Sequence, residues 1–206
     1  MASGARSAPV ADPADVALLR MLEQSGALRR GHFLLSSGLH SPAYVQCALL
    51  LQDPRWARRI GKQLAARLAP HGPQSVLSPA LGGVVIGHEV ASALGIPFRF
   101  TEREAGAMAL RRGFAFGPGE RVAVVEDVVT TGRSTRETAE LAARQGAVVV
   151  AIGSILDRSG GAPGFTVPFV SLLSLDLPTH SAADCPLCRA GGRPEKPGSR
   201  PPAPGA

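Results

Sequence analysis

Residues 124–135 read VVEDVVTTGRST. The stretch opens inside a β-branched run, Arg121 to Glu126 (RVAVVE), of the kind that forms a buried strand, and it ends that strand on two adjacent acids, Glu126 and Asp127. Val128 and Val129 follow, and then Thr130, Thr131, Gly132, Arg133 and Ser134 turn the chain into an amphipathic helix, STRETAELAARQ, which the spacing caps with Ser134 and stops at Gly146. Free backbone N–H groups at a helix start, the positive end of the helix dipole and three hydroxyls make a cradle for a terminal phosphate. Carboxylates repel phosphate, so the two acids one turn away should accept hydrogen bonds from sugar hydroxyls, or help to hold a metal that accompanies the sugar. The ligand this pattern describes is a phosphorylated ribose. Neither G-x-x-x-x-G-K-[ST] nor a G-x-G-x-x-G after a strand occurs, which removes the usual triphosphate loop and the dinucleotide fingerprint. A plain capped turn would need one polar residue and not the whole run.

Outward from this stretch the chain alternates. Upstream, the strand SVLS (75–78) enters the loop PALGG (79–83), a helix over 84–94 closes on Gly95, and PFRFTE (97–102) begins another strand. Downstream, AVVVAIGSIL (147–156) and VPFVSLLSL (167–175) read as strands. Strand, loop and helix in succession, with nearly continuous apolar strands, predict an α/β fold whose mainly parallel sheet is covered by helices on both faces and binds ligands at the carboxyl ends of its strands. Nearer the N-terminus, Val16, Leu19 and Leu22 predict a helix ending near Gly26, and FLLSSG and AYVQC a short extended pair. Asp53 caps a helix with Pro54 in its first turn, and Trp56, Ile60, Leu64 and Leu68 form its apolar stripe until Pro70.

The 206 residues, 45% hydrophobic, suffice for one domain with tails, and 24 glycines with 18 prolines at that apolar content exclude wholesale disorder. The net charge is +6, carried by twenty arginines and only two lysines, Lys62 and Lys196, against 16 acids. Such a balance asks for an anionic partner. Half of it lies from Arg189 onward, no long single-sign block exists, and aromatics are only 4%, so no nucleic-acid partner is expected. No apolar run approaches bilayer length and the start MASGARSAPVADP lacks a signal-peptide core, so no membrane partner and a cytoplasmic location are expected. Three cysteines agree with a reducing compartment.

VVEDVVTTGRST resembles the phosphoribosyl pyrophosphate (PRPP) signature of type I phosphoribosyltransferases. Within that family GHFLLSSGLHSPAYV (31–45), with its F-x-L-x-S-G-x-x-S-P core, is similar to the N-terminal base-binding hood of orotate phosphoribosyltransferases, and LRRGFAFGPGERVAVVEDVVTTG (110–132) to one bacterial branch of them. The resemblance runs from about Gly31 to Arg158 and implies the type I phosphoribosyltransferase fold. It divides the chain into a flexible tail over 1–13, a phosphoribosyltransferase domain over 14–183 whose hood takes in about 14–50 and the C-terminal part, and a Pro/Gly-rich tail over 184–206. The implied activity is transfer of ribose 5-phosphate from PRPP to orotate with Mg²⁺ held through PRPP and no direct protein ligand, in a homodimer. A phosphoribosyltransferase for another base and a PRPP-sensing regulator are the rival readings.

By the same resemblance, Thr130 to Ser134 hold the 5′-phosphate and Glu126 with Asp127 the ribose hydroxyls, within a PRPP site running from Glu126 through Val128 and Val129 to Ser134. Pro79 to Gly83, with Leu81 and Gly82, resembles the pyrophosphate loop, where a non-proline cis peptide is often found; many relatives carry a lysine at the place of Gly82. Thr101 to Gly113 matches a mobile loop that the neighbouring subunit contributes in family dimers. Its lysines and histidine are missing here, which leaves Arg103, Arg111 and Arg112 to screen the leaving pyrophosphate. Arg158 corresponds to an orotate-binding arginine, with Thr130, Tyr44 and Val45 also toward the base; Ser36 falls where many relatives have a lysine and takes no role. Cys185-Pro-Leu-Cys188 is half of a zinc site. Cys47 is far away in sequence, so a site would need His180 or a second subunit, and the segment reads as an irregular tail turn.

Overall fold

A computed structural model describes residues 13–35, 37–161 and 163–197. Ser36, most of the N-terminal tail (1–12) and the end of the C-terminal tail (198–206) lie outside the described residues. Helix α1 (Pro13–Gln24) leads into a hairpin of β1 (Leu28–Leu34) and β2 (His40–Val45), followed by the short α2 (Ala48–Leu51). Helix α3 (Pro54–Leu68) starts as its sequence requires, with the Asp53 carboxylate accepting from Arg55 N at 2.9 Å and Pro54 in the first turn. Then come β3 (Ser75–Pro79), α4 (Gly82–Leu94), β4 (Phe98–Glu104), β5 (Ala107–Leu110), β6 (Arg121–Val129), α5 (Arg133–Arg144), β7 (Val148–Asp157), β8 (Phe169–Ser174) and the one-turn α6 (Pro186–Arg189).

The main sheet has the order β5-β4-β3-β6-β7-β8, parallel except for β5, which pairs antiparallel with β4. Strand periodicity divides the core in two. Val76, Ala123 and Val125 face α3 and α4 in the larger cluster, while their neighbours Leu77 and Val122 face Ala142 of α5 in the smaller one. On the larger side α3 and α4 approach so closely at Gly61 that a Cβ there would lie 2.5 Å from Glu89 Cβ. No helix among the described residues is long and apolar enough to cross a membrane.

The C-terminal segment departs from the expected irregular tail. It forms α6, and it flanks the β1–β2 hairpin on both edges: His180 pairs with His40, and Glu195 with the stretch around Phe33. Buried Cys185 and half-buried Cys188 lie beside His32 and His40 of the hairpin, rather than beside Cys47. Hydrogen bonds are cheapest to satisfy where an unpaired strand edge is already offered, which is why an irregular Pro/Gly-rich segment settles there.

Candidate active site

Strand β6 carries its two acids near its carboxyl end, between the starts of α5 and α4. Glu126 reaches the start of α5, where Ser134 Oγ donates to its Oε2 at 3.1 Å. Asp127 reaches the start of α4, and its Oδ1, which accepts from Val128 N at 2.8 Å, lies 2.7 Å from where a Cβ of Gly82 would sit. Gly83 is equally tight, with Val125 O 2.9 Å and Glu126 Oε1 3.2 Å from its Cβ position. The carboxylate of Asp127 thus takes the space in which a side chain at 82 would begin, and this accounts for the glycine at that place. The Ala80–Leu81 peptide in the same loop is cis, as the resemblance suggested, and Leu81 is 86% exposed.

Burial raises the pKa of Glu126 from its ordinary 4.5 to about 8, with the charge of Asp127 adding to the effect. Burial raises Asp127 as well. Behind them Cys47 is fully buried, and burial first, then the charges of Asp127 and Glu126, push its thiol well above the ordinary value.

Helix α5 does not use Ser134 as its cap. Gly132 is the N-cap, at φ +70°, and no side chain caps the helix. Only glycine takes that backbone conformation at little cost, and here a Cβ would in addition meet the Phe165 ring at 3.0 Å. Because the turn is made by backbone alone, the first amides of α5 have no capping oxygen and Ser134 is free to hold Glu126. A cleft of about 440 Å³ opens over this turn, lined by Arg103 and by residues 128–135. It brings together Val128, Val129, Thr130, Thr131, Gly132, Arg133 and Ser134 as the sequence implies, and adds Thr135. Thr135 is 1% exposed and its Oγ1 has no hydrogen-bond partner. As the last residue of TTGRST it was the one hydroxyl of the run left without a role.

The segment 101–113 is built as the end of β4, a two-residue turn at Ala105 (φ +48°) and Gly106 (φ +87°), and β5. Each of its arginines has a carboxylate partner: Arg103 with Glu137 at 2.6 Å, Arg111 with Glu104 at 3.3 Å and Arg112 with Glu102 at 2.8 Å. Only Arg103 lines the cleft; Arg111 and Arg112 do not. Arg158 stands just past β7, its N–H donating to Val129 O at 2.8 Å, which ties it to the strand carrying the acids. Its guanidinium does not pair with Asp157, which instead accepts from Ser159 N and Oγ at 2.7 and 2.6 Å. Arg158 Nε is buried without a partner, and burial lowers its pKa. Tyr44 packs against the Phe33 ring and Val45 enters the main core; neither lines the cleft.

No protein-family model matches the chain. A protein named orotate phosphoribosyltransferase from Thermotoga maritima is 54% identical over 180 residues, which are 87% of this chain and 96% of that one. Its namesake from Pelotomaculum thermopropionicum is 46% identical over 183 residues, 89% of this chain and 96% of that one. The crystal structure of orotate phosphoribosyltransferase from Aeropyrum pernix matches with a TM-score of 0.66 at 27% identity, covering 77% of this chain and 93% of the other. With Glu126 and Asp127 near the end of a strand that leads to an uncapped helix start, and with identity of this degree over nearly the whole length of its relatives, the chain belongs to the orotate phosphoribosyltransferase family.

Proposed function

We propose that this protein transfers ribose 5-phosphate from PRPP to N1 of orotate, forming orotidine 5′-monophosphate and releasing pyrophosphate, a step of pyrimidine nucleotide synthesis in the cytoplasm. The observation that carries this reading is the placing of the acid pair, buried Glu126 and half-buried Asp127, close to the backbone-built cradle at Gly132. The amides and hydroxyls of Thr130 to Thr135 take the 5′-phosphate. The two carboxyl groups hold the ribose 2′- and 3′-hydroxyls, Glu126 in a protonated form that can donate as well as accept. As the C1′–O bond to pyrophosphate lengthens, positive charge grows on the ribose; the negative side chain of Asp127 below the ring stabilises it, while N1 of orotate approaches the opposite side of C1′.

Two neighbouring carboxyl groups are hard oxygen donors, and this set fits a magnesium ion carried on the substrate. Glu126 and Asp127 would hold it through the ribose hydroxyls and its water shell, and when bound it neutralises charge on the diphosphate. The PALGG loop presents backbone N–H groups to the pyrophosphate, Arg103 adds a positive charge at the cleft, and the unpaired fork of Arg158 receives the orotate carboxylate and carbonyls. The working unit is a homodimer in which the outer part of the 101–113 hairpin, with Arg111 and Arg112, serves the neighbouring site while Arg103 stays at its own; Arg111 and Arg112, outside the cleft of their own chain, support this. The test is loss of orotate ultraviolet absorbance in the presence of PRPP and Mg²⁺, with adenine and hypoxanthine as alternative acceptors. Failure to consume orotate, or faster use of a purine, overturns the reading.

A further inference from the structure

Far from the acid pair in sequence, four side chains converge that the transfer reaction does not use. His32 and His40 come from the β1–β2 hairpin, Cys185 and Cys188 from the C-terminal segment, and their ligand atoms all lie within 4.8 Å of one another. His32 Nε2 is 3.0 Å from His40 Nδ1, 3.4 Å from Cys185 Sγ and 3.7 Å from Cys188 Sγ, and His40 Nδ1 is 3.2 Å from Cys188 Sγ. A tetrahedral zinc ion with Zn–N near 2.0–2.1 Å and Zn–S near 2.3 Å has ligand-to-ligand edges of about 3.3 Å for N to N and about 3.6 Å for N to S. The observed edges scatter about those values.

Hydrogen bonding alone gives a poor account of the group. Two imidazole nitrogens and two thiols that point at one centre compete for too few protons, and a thiol is a weak donor and a weak acceptor. The other nitrogen of His32, Nδ1, is buried without a partner, so Nε2 is the one atom through which this ring makes a polar contact. Cys185 is 1% exposed and His40 6%, so the cluster has a buried side. Gly192 lies over His32, where a Cβ would come within 3.3 Å of Nδ1, and lets the segment close down on the ring. The donor set, two borderline nitrogens and two soft sulfurs gathered about one centre, selects zinc over magnesium or calcium.

We propose that this protein binds one structural Zn²⁺ per chain through His32 Nε2, His40 Nδ1, Cys185 Sγ and Cys188 Sγ. Both thiols release their protons to solvent on binding, all four positions are filled by protein, and no site remains open for substrate. The ion fastens the C-terminal segment to the β1–β2 hairpin, where the two are otherwise joined by backbone pairs, the Arg29–Glu195 ion pair and the Ser41 hydroxyl donating to Pro178 O. The full chain, purified under reducing conditions and desalted, should hold one equivalent of zinc by elemental analysis. Replacing the zinc by Co²⁺ should give the intense visible bands of a tetrahedral ion with a thiolate charge-transfer band in the near ultraviolet. The Cys185→Ser/Cys188→Ser double variant should lose the metal and that band, and a mercurial thiol reagent should release one zinc from the unaltered protein, which keeps the test open should the variant fail to fold. Purified protein with no zinc and no cobalt–thiolate band, or a double variant that retains both, overturns the proposal.

Discussion

The carboxylate of Asp127 occupies the space beside Gly82, so that a methyl group at 82 would stand 2.7 Å from Oδ1. The 79–83 loop and Asp127, to which the proposed reaction gives the pyrophosphate and the ribose, are therefore one packed unit. Gly82→Ala should push Asp127 off its position and lower kcat/KM for PRPP by about 10- to 100-fold, the order of loss expected from misplacing a reacting group by an ångström. Thermal unfolding should barely move. Unaltered kinetics would mean that the acid does not need its present position.

Glu126 gives a pH prediction whose sign follows from its raised pKa. Between its unfolded value near 4.5 and about 8 the folded protein holds a proton that the unfolded chain has lost, so the stability due to the neutral group is fully present below the unfolded pKa and is lost as pH rises through about 8. Glu126→Gln, which cannot ionise, should flatten this slope and leave the protein more stable than the parent at pH 9, while activity falls. Urea titrations at pH 5, 7 and 9 measure it; parallel slopes for the two proteins would show that Glu126 is not held protonated.

Arg158 should matter to one substrate and not to the other. Removing a charged hydrogen-bond donor costs about 1.5–3 kcal/mol, so Arg158→Ala should reduce kcat/KM for orotate by roughly 10- to 100-fold and leave the KM for PRPP nearly unchanged. Arg158→Lys should recover little, because an ammonium lacks the planar fork. Equal effects on both substrates would remove the arginine from the base site.

Among the hairpin arginines the order of effects is set by position. Arg103 lines the cleft, so Arg103→Ala should depress kcat most when measured on the isolated variant. Arg111→Ala and Arg112→Ala should, in the homodimer reading, act on the neighbouring site. Mixing Arg112→Ala with Asp127→Asn protein should then restore part of the activity through hybrid dimers; no recovery on mixing speaks for hairpins that serve their own chain.

Gly61 supplies a stability test away from the chemistry. A Cβ there meets Glu89 Cβ at 2.5 Å and its carbonyl carbon at 2.9 Å, backbone that cannot step aside. Gly61→Ala should cost about 1–3 kcal/mol through overpacking of α3 on α4 and lower the melting temperature by several degrees, without changing KM for either substrate.

What the residues disclosed in advance depended on how local the cause was. The start of α3 is written in Asp53-Pro54, and the β6–α5 turn in a single run of twelve residues, because cap, strand and cradle are all neighbours in sequence. The cap of α5 was assigned to Ser134 because serine is a good cap by type; the actual choice of Gly132 depends on a positive φ and on Phe165, more than thirty residues on. Strand β5 escaped notice since four residues of alanine, methionine and leucine carry little alternation, and its turn has alanine where an asparagine or aspartate would signal it. Tyr44 and Val45 are placed by likeness to relatives; their packing against Phe33 and into the core comes from the fold. The half-site at Cys185 and Cys188 was visible, but its completion by His32 and His40, some 150 residues earlier, required the fold.

The pairing of Glu195 with the first hairpin has a consequence for biosynthesis. Strand β1 leaves the ribosome early, yet the partner that covers its outer edge, and the Glu195 carboxylate that pairs with Arg29 at 2.9 Å, are 166 residues behind. The main sheet can assemble while the chain is still being made, but the β1–β2 hairpin must wait with an open strand edge until translation has passed Glu195. A segment synthesised well over a hundred residues after the hairpin is thus the one that closes its edge.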